Sequence, residues 1–153
     1  MSKKKSRAKR FVPLVKLAEN KEQAAAIALG TCNQKVQQSK DQLEQLKLYR
    51  SEYVQQLNKD GNQGMDASML KAYKDFIAGL DTAIKQQNIQ LQESQLQYAQ
   101  QKQDWLHEHQ RKRVMEVTVK KYSAQEARDQ DRREQNALDE FATMSTTRPT
   151  KPK

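Results

Sequence analysis

The sequence predicts an all-α fold, an antiparallel two-helix coiled-coil hairpin whose second helix is the longer. Three observations carry that prediction. No proline falls between Pro13 and Pro149, so no position in that span loses its helical donor. Leucine, isoleucine and tyrosine recur at alternating three- and four-residue spacing on both sides of a midpoint. At that midpoint lies the only cluster with two glycines, Lys59-Asp60-Gly61-Asn62-Gln63-Gly64, where a turn sends the chain back along itself.

The first helix is expected from about Pro13 to Lys59, a length of about 70 Å. Leu29, Val36, Leu43, Arg50 and Leu57 take heptad position a, and Cys32, Ser39, Leu46 and Tyr53 take position d. Towards the N-terminus Leu14, Leu17, Ala24 and Ala28 leave this frame, which predicts a local stutter. Asp66 is placed to cap a second helix starting at Ala67, with Met65 and Leu70 at the two sites of a hydrophobic staple. That helix is expected to reach about Ala142, or about 110 Å.

In the second helix Leu70, Ile77, Ile84, Leu91, Tyr98 and Trp105 occupy a, while Tyr73, Leu80, Gln87, Ser94 and Gln101 occupy d. An overhang is expected to begin near Arg111 and to include Val114, Val117 and Val119, whose branched side chains lower helix propensity. Large apolar residues crowd the seam near the turn, whereas Ser39, Gln87, Ser94 and Gln101 dilute it further away. A firm tip and a looser base follow. The organisation is a basic, disordered arm over 1–12, the hairpin over 13–142 with its turn near 60–66, and a disordered tail over 143–153.

Charge is unevenly spread. The 153 residues carry a formal net charge of +9. Residues 1–10 hold six basic side chains and no acid; 11–110 hold 11 basic and 12 acidic residues; 111–153 hold 11 basic and 7 acidic. The body is thus close to neutral and both ends are basic. A hairpin places those ends together, as a positive patch that attracts an acidic partner in a salt-dependent way. The single cysteine, Cys32, excludes an intramolecular disulfide and fits a reducing compartment. No apolar run approaches the roughly 20 residues of a membrane span, and Lys16 interrupts the only candidate for a signal-peptide core. A soluble intracellular protein is expected.

A second stripe runs beside the seam. In an antiparallel pair the e positions line one flank and the g positions the other. The e flank holds Lys40, Lys47, Val54, Lys74, Asp81 and Asn88, a polar covering. The g flank near the tip holds Gln42, Tyr49, Met69, Phe76 and Ala83. Tyr49 and Phe76 are not needed to close a two-helix seam. They either thicken the core or present an aromatic patch to another protein, and one ring can do both.

No enzymatic chemistry emerges. His107 and His109 lie two apart, so their rings point to different helix faces, and both are expected in solvent. Cys32 at a d position reads as a small apolar side chain. Gly61 and Gly64 are not followed by the Lys-Ser/Thr of a phosphate-binding loop. No metal, cofactor or catalytic residue is expected. Gly30 and Gly79 weaken the helices by about 1 kcal/mol each relative to alanine. Trp105 reads as a packed seam residue.

Leu48-Tyr49-Arg50-Ser51-Glu52-Tyr53 with Leu57-Asn58 precedes the turn; Tyr73, Phe76-Ile77, Leu80, Ala83-Ile84 and Gln86-Gln87 follow it. In this order the residues resemble the FliJ family of the bacterial flagellar type III export apparatus, most strongly over 40–90. The resemblance implies a coiled coil similar to the stalk subunit of rotary ATPases. It implies binding at the centre of the hexameric export ATPase FliI, promotion of ring assembly, contact with the export gate protein FlhA, and assistance to export chaperones. It further implies a cytoplasmic location at the inner-membrane export apparatus. The gate-contacting surface would match Gln42, Leu46, Tyr49, Tyr53, Phe76, Leu80, Ala83 and Gln87, all of them g or d here. The position of Gln87 is histidine in some relatives. The basic head and the Thr/Lys/Pro tail match the family poorly.

The expected protein is therefore a non-enzymatic export component, a monomer with no specific affinity for nucleic acid. Two rival readings are a general coiled-coil scaffold that dimerises through the aromatic stripe and a basic nucleic-acid-binding protein. Solution mass separates the first, and a steep salt dependence of duplex binding the second.

Overall fold

The computed structural model describes residues 6–146. Two helices account for nearly all of them, α1 over Arg7–Asn62 and α2 over Ala67–Thr146. The chain is an all-α helical hairpin, with no strand among the described residues. Residues 1–5 of the expected arm and 147–153 of the expected tail lie outside the described residues.

Helix α1 starts six residues before Pro13. Ser6 is its cap: the Ser6 hydroxyl accepts from Lys9 N at 3.1 Å, and the Ser6 carbonyl accepts from Arg10 N at 3.1 Å. A third first-turn donor, Ala8 N, is taken at 3.3 Å by the Glu126 carboxylate of α2, which also suits the positive end of a helix dipole. With three donors satisfied, the helix begins ahead of Pro13 and carries that proline in its interior, at the loss of one backbone hydrogen bond. Residues 7–12 of the expected disordered arm are helical, and so are residues 143–146 of the expected disordered tail, which end α2.

The turn follows the expected chemistry. The last turn of α1 tightens: Gln63 N donates to Asp60 O at 3.2 Å and Gly64 N to Gly61 O at 3.3 Å. Gly64 then adopts φ 90°, a conformation costly for a residue with a Cβ. Asp66 caps α2, its Oδ1 accepting from Ser68 N at 3.3 Å and its carbonyl from Leu70 N at 3.0 Å. Asp60 ties the two helices across the turn, accepting from the Tyr73 hydroxyl at 2.7 Å and from Gln56 Nε2 at 2.9 Å. That bond, with burial and the nearby carboxylate charge, holds the Tyr73 hydroxyl above its ordinary pKa.

Contacts divide the molecule into two units. The first comprises 23–107. Val36, Ser39 and Leu43 are its buried residues, each 6% exposed. The deepest packing of this unit therefore lies away from the turn, contrary to the firm tip expected. At the tip Tyr53 and Leu70 are both 38% exposed, because bulky residues at successive seam positions leave their outer faces in solvent. At the level of Ser39 two serines meet instead. Ser94 gives its proton to Gln90 O at 2.9 Å, so the 3.4 Å contact between hydroxyls is donated by Ser39. A small, mutually satisfied polar pair buries Ser39 where a large polar residue would stay exposed. Arg50, an ion in an otherwise apolar row, pairs its Nε with Asp81 on the e flank and leaves its stem across the seam.

The second unit comprises, among the described residues, 6–22 together with 108–146. Its half-buried or buried α1 residues are Ala8, Phe11, Val15, Ala18, Glu19 and Glu22. All but Glu19 continue the a and d positions of Leu29 and Cys32 without interruption. The expected stutter is absent: Ala18 and Ala25, rather than Leu14 and Leu17, face the partner helix, and both leucines are exposed. From α2 come Lys112, Met115, Val119, Tyr122 and Glu126. Phe11 and Tyr122 stack with centroids 5.4 Å apart and planes 9° apart, and the Arg7 guanidinium lies 5.8 Å from the Tyr122 ring centre. Pairing thus persists to Glu126. The unpaired part of α2 begins near Ala127, not Arg111, because α1 starts earlier than Pro13 suggests.

An ionic layer sits in this second unit. Glu22 Oε2 accepts from Lys112 Nζ at 2.7 Å, and Glu22 Oε1 shares a 2.8 Å hydrogen bond with His109 Nδ1. The bond from Lys112 and, after it, that from His109 lower the Glu22 pKa, against the opposing effect of burial. A carboxylate whose pKa is lower folded than unfolded contributes stability above its unfolded value, and this is lost as pH falls through the folded value. Lys112 is raised by the same bond, so its contribution holds below its unfolded pKa and fades as pH rises through the folded one. Protection of the Ala18 amide, taken relative to the intrinsic exchange rate at each pH, should therefore fall as pH drops below the ordinary 4.5 of a glutamate. Glu22→Gln should flatten that acid dependence; an unchanged profile in the variant would contradict the assignment.

Candidate protein-binding face

The eight residues singled out in the sequence lie in the unit spanning 23–107, and the helices position them through one repeat. Gln42 and Tyr49 are successive g positions of α1, with Leu46 and Tyr53 at d; Phe76 and Ala83 are g in α2, with Leu80 and Gln87 at d. Residues three and four apart share a helix face, so each helix supplies a stripe, and antiparallel pairing sets the two stripes side by side.

The structure joins most of them. The Tyr53 and Phe76 rings lie 4.3 Å apart at a 35° tilt, and Tyr53 also meets Tyr73 edge-on at 6.5 Å. Gln87 Nε2 bridges the helices with both protons, one to Ser39 O and one to Gln42 Oε1, each at 3.1 Å. Gln42, Leu46, Tyr49 and Gln87 line one open recess of about 220 Å³. Leu80 and Ala83 are half-buried on α2 between Phe76 and Gln87, joined to them by the helix backbone and by no side-chain hydrogen bond or ring contact.

Exposure decides between core and surface. Tyr49 is 44% exposed, Phe76 47% and Tyr53 38%. Tyr53 and Phe76 pack ring against ring and keep much of their surface in water, and Tyr49 adds exposed aromatic surface to the same stripe. Gln45 belongs to the same face and was missed by the heptad reading: it is a c residue, yet it lines the recess and donates from Nε2 to the Tyr49 hydroxyl at 3.4 Å. Its i, i+4 relation to Tyr49 is the signal that would have found it.

The other candidates resolve simply. Cys32 is half-buried, as a d residue should be. Trp105 is half-buried in the a row. His107 is exposed, but His109 is not the solvent residue expected; it packs and bonds to Glu22. Glu108 carries a buried oxygen, Oε2, with no hydrogen-bond partner. Among the described residues no group of three or more His, Cys, Asp or Glu is placed to hold a metal ion, and no helix is long and apolar enough to cross a membrane.

Comparison with known proteins gives one consistent result. The family model described as "Flagellar FliJ protein" matches residues 7–151. A Flagellar FliJ protein of Salmonella typhi is 30% identical over 132 residues, covering 86% of this chain and 90% of the relative. A Flagellar FliJ protein of Escherichia coli (strain K12) matches at the same identity and coverage. The match takes in both helices, the turn and all eight residues of the face. The chain belongs to the flagellar FliJ protein family.

Proposed function

We propose that the chain is a non-enzymatic component of the bacterial flagellar type III export apparatus. It engages the export gate protein FlhA through the aromatic g/d face and the export ATPase FliI through its basic end, promotes assembly of the ATPase ring, and assists export chaperones. It works in the cytoplasm, peripherally at the inner membrane. The observation that carries this reading is the half-exposed Tyr53–Phe76 ring pair, with Tyr49 exposed on the same stripe beside the Gln42–Gln87 bridge, on a member of a flagellar family. Aromatic anchors beside satisfied polar groups are what a protein interface uses. In the second unit Arg7, Lys9 and Arg10 are exposed on the first turns of α1, cations suited to an acidic partner surface.

The test is a double substitution, Tyr49→Ala with Phe76→Ala. Because both rings keep much of their surface in water, the helical signal and the unfolding temperature should change little. Affinity for the purified cytoplasmic domain of FlhA should fall at least about tenfold, or about 1.4 kcal/mol. Wild-type affinity in a folded double variant would remove the face assignment.

A further inference from the structure

Two segments left over from the hairpin carry matching patterns. On α1, Arg7, Arg10, Leu14 and Leu17 follow one another at spacings of three, four and three, so they share one helix face. All four are exposed, Leu14 at 43% and Leu17 at 51%. On α2, Asp131, Glu134, Leu138 and Phe141 follow the same spacings and share a face in the same way. They too are exposed, Leu138 at 64% and Phe141 at 74%. The first stripe reads base, base, apolar, apolar; the second reads acid, acid, apolar, apolar.

The charge contrast extends to the surroundings. Residues 7–17 contain four basic side chains and no acid. Residues 131–146 contain four acids, Asp131, Glu134, Asp139 and Glu140, against two bases, Arg132 and Arg133, in a chain whose net charge is +9. The two segments cannot meet within one molecule. Ala8 is held level with Glu126 by its amide hydrogen bond, so Leu138 lies about 18 Å beyond the end of α1. The helices of one chain also run antiparallel, whereas the stripes match only when parallel.

A second copy supplies that geometry. Inverted by a two-fold axis across the open end, its α1 runs parallel to the overhanging part of α2 in the first copy. Arg7 then faces Asp131, Arg10 faces Glu134, Leu14 faces Leu138 and Leu17 faces Phe141. The symmetry makes the contact reciprocal, because the second copy's overhang lies along the first copy's α1 in the same register. Such a contact is isologous and closes at two chains. We propose that the chain self-associates base to base through these two stripes, as a salt-sensitive antiparallel dimer. The Arg7–Tyr122 contact is compatible, since Arg7 remains exposed. The dimer adds a concentration-dependent state to the monomer expected from the seam. It covers Arg7 and Arg10, so it competes with any acidic partner of the basic end.

The test is sedimentation equilibrium on the full chain over a wide concentration range, at about 0.03 M and about 0.5 M salt. At low salt the mass should rise above the 17.8 kDa of one chain towards twice that value, and high salt should weaken association by about tenfold or more. Leu138→Asp with Phe141→Asp, at sites exposed enough to leave folding intact, should hold the chain at 17.8 kDa. Arg10→Glu should also dissociate the dimer, and adding Glu134→Arg to it should restore association. A chain that stays monomeric at every low-salt concentration would overturn the proposal. So would association that survives the Leu138/Phe141 variant but is lost in the Tyr49/Phe76 variant, or a charge exchange that fails to rescue.

Discussion

A single alanine inserted after Gln37 should unfold one side of the hairpin. One extra residue rotates everything beyond it by about 100°. Ser39, Leu43 and Leu46 would leave the seam, and polar neighbours would replace them. The α1 residues before and after the insertion cannot both face α2, so the side with less apolar contact must give way. Each large side chain returned to water costs about 1.5–3 kcal/mol, so the loss should amount to several kcal/mol and broaden thermal unfolding. Seven residues inserted at that point, matched by seven after Gln95, should restore a sharp transition, because a full heptad preserves the a and d rows. Thermal unfolding followed by circular dichroism reads both variants. A single insertion with wild-type stability would show that the seam is not fixed by heptad phase.

Leu43→Ala is the point substitution with the largest expected cost. Leu43 is 6% exposed in a two-helix seam where Val36 and Ser39 are the other buried residues of its unit. Truncation of a buried leucine costs about 2–5 kcal/mol. The lower part of that range, about 2–3 kcal/mol, applies here, because water reaches a thin seam more easily than a globular core. Urea denaturation should show a lower midpoint at nearly unchanged slope. Leu48→Ala, at a site 56% exposed, is the control and should stay within about 0.5 kcal/mol of wild type.

The contrast between these leucines shows how much of the fold could be read in the residues. Leu43 and Leu48 are the same amino acid, and only the heptad phase separates them. The glycine cluster located the turn and Asp66 the cap of α2, because both depend on local backbone chemistry, and the phase set Tyr49, Tyr53 and Phe76 on one flank of the seam. The start of α1 was harder to see. Pro13 resembles a first-turn proline, whereas the cap is Ser6, helped by Glu126 from 118 residues away. The stutter came from following large residues: Leu14 and Leu17 draw attention, but Ala18 and Ala25 hold the d positions. His109 was read as a solvent residue because its partner, Glu22, lies 87 residues away in sequence. In each case the deciding contact is one that only the fold brings together.

The hairpin requires one polypeptide to double back on itself. The most direct measurement is a cysteine pair, Ser39→Cys with Ser94→Cys, in a chain also carrying Cys32→Ser. The native hydroxyls lie 3.4 Å apart across the seam, within reach of a disulfide. Oxidation of the folded protein at high dilution should give a single-chain product that migrates faster on a non-reducing gel. A product of twice the mass, with no intrachain bond formed, would show that the helices pair between molecules and would contradict the hairpin.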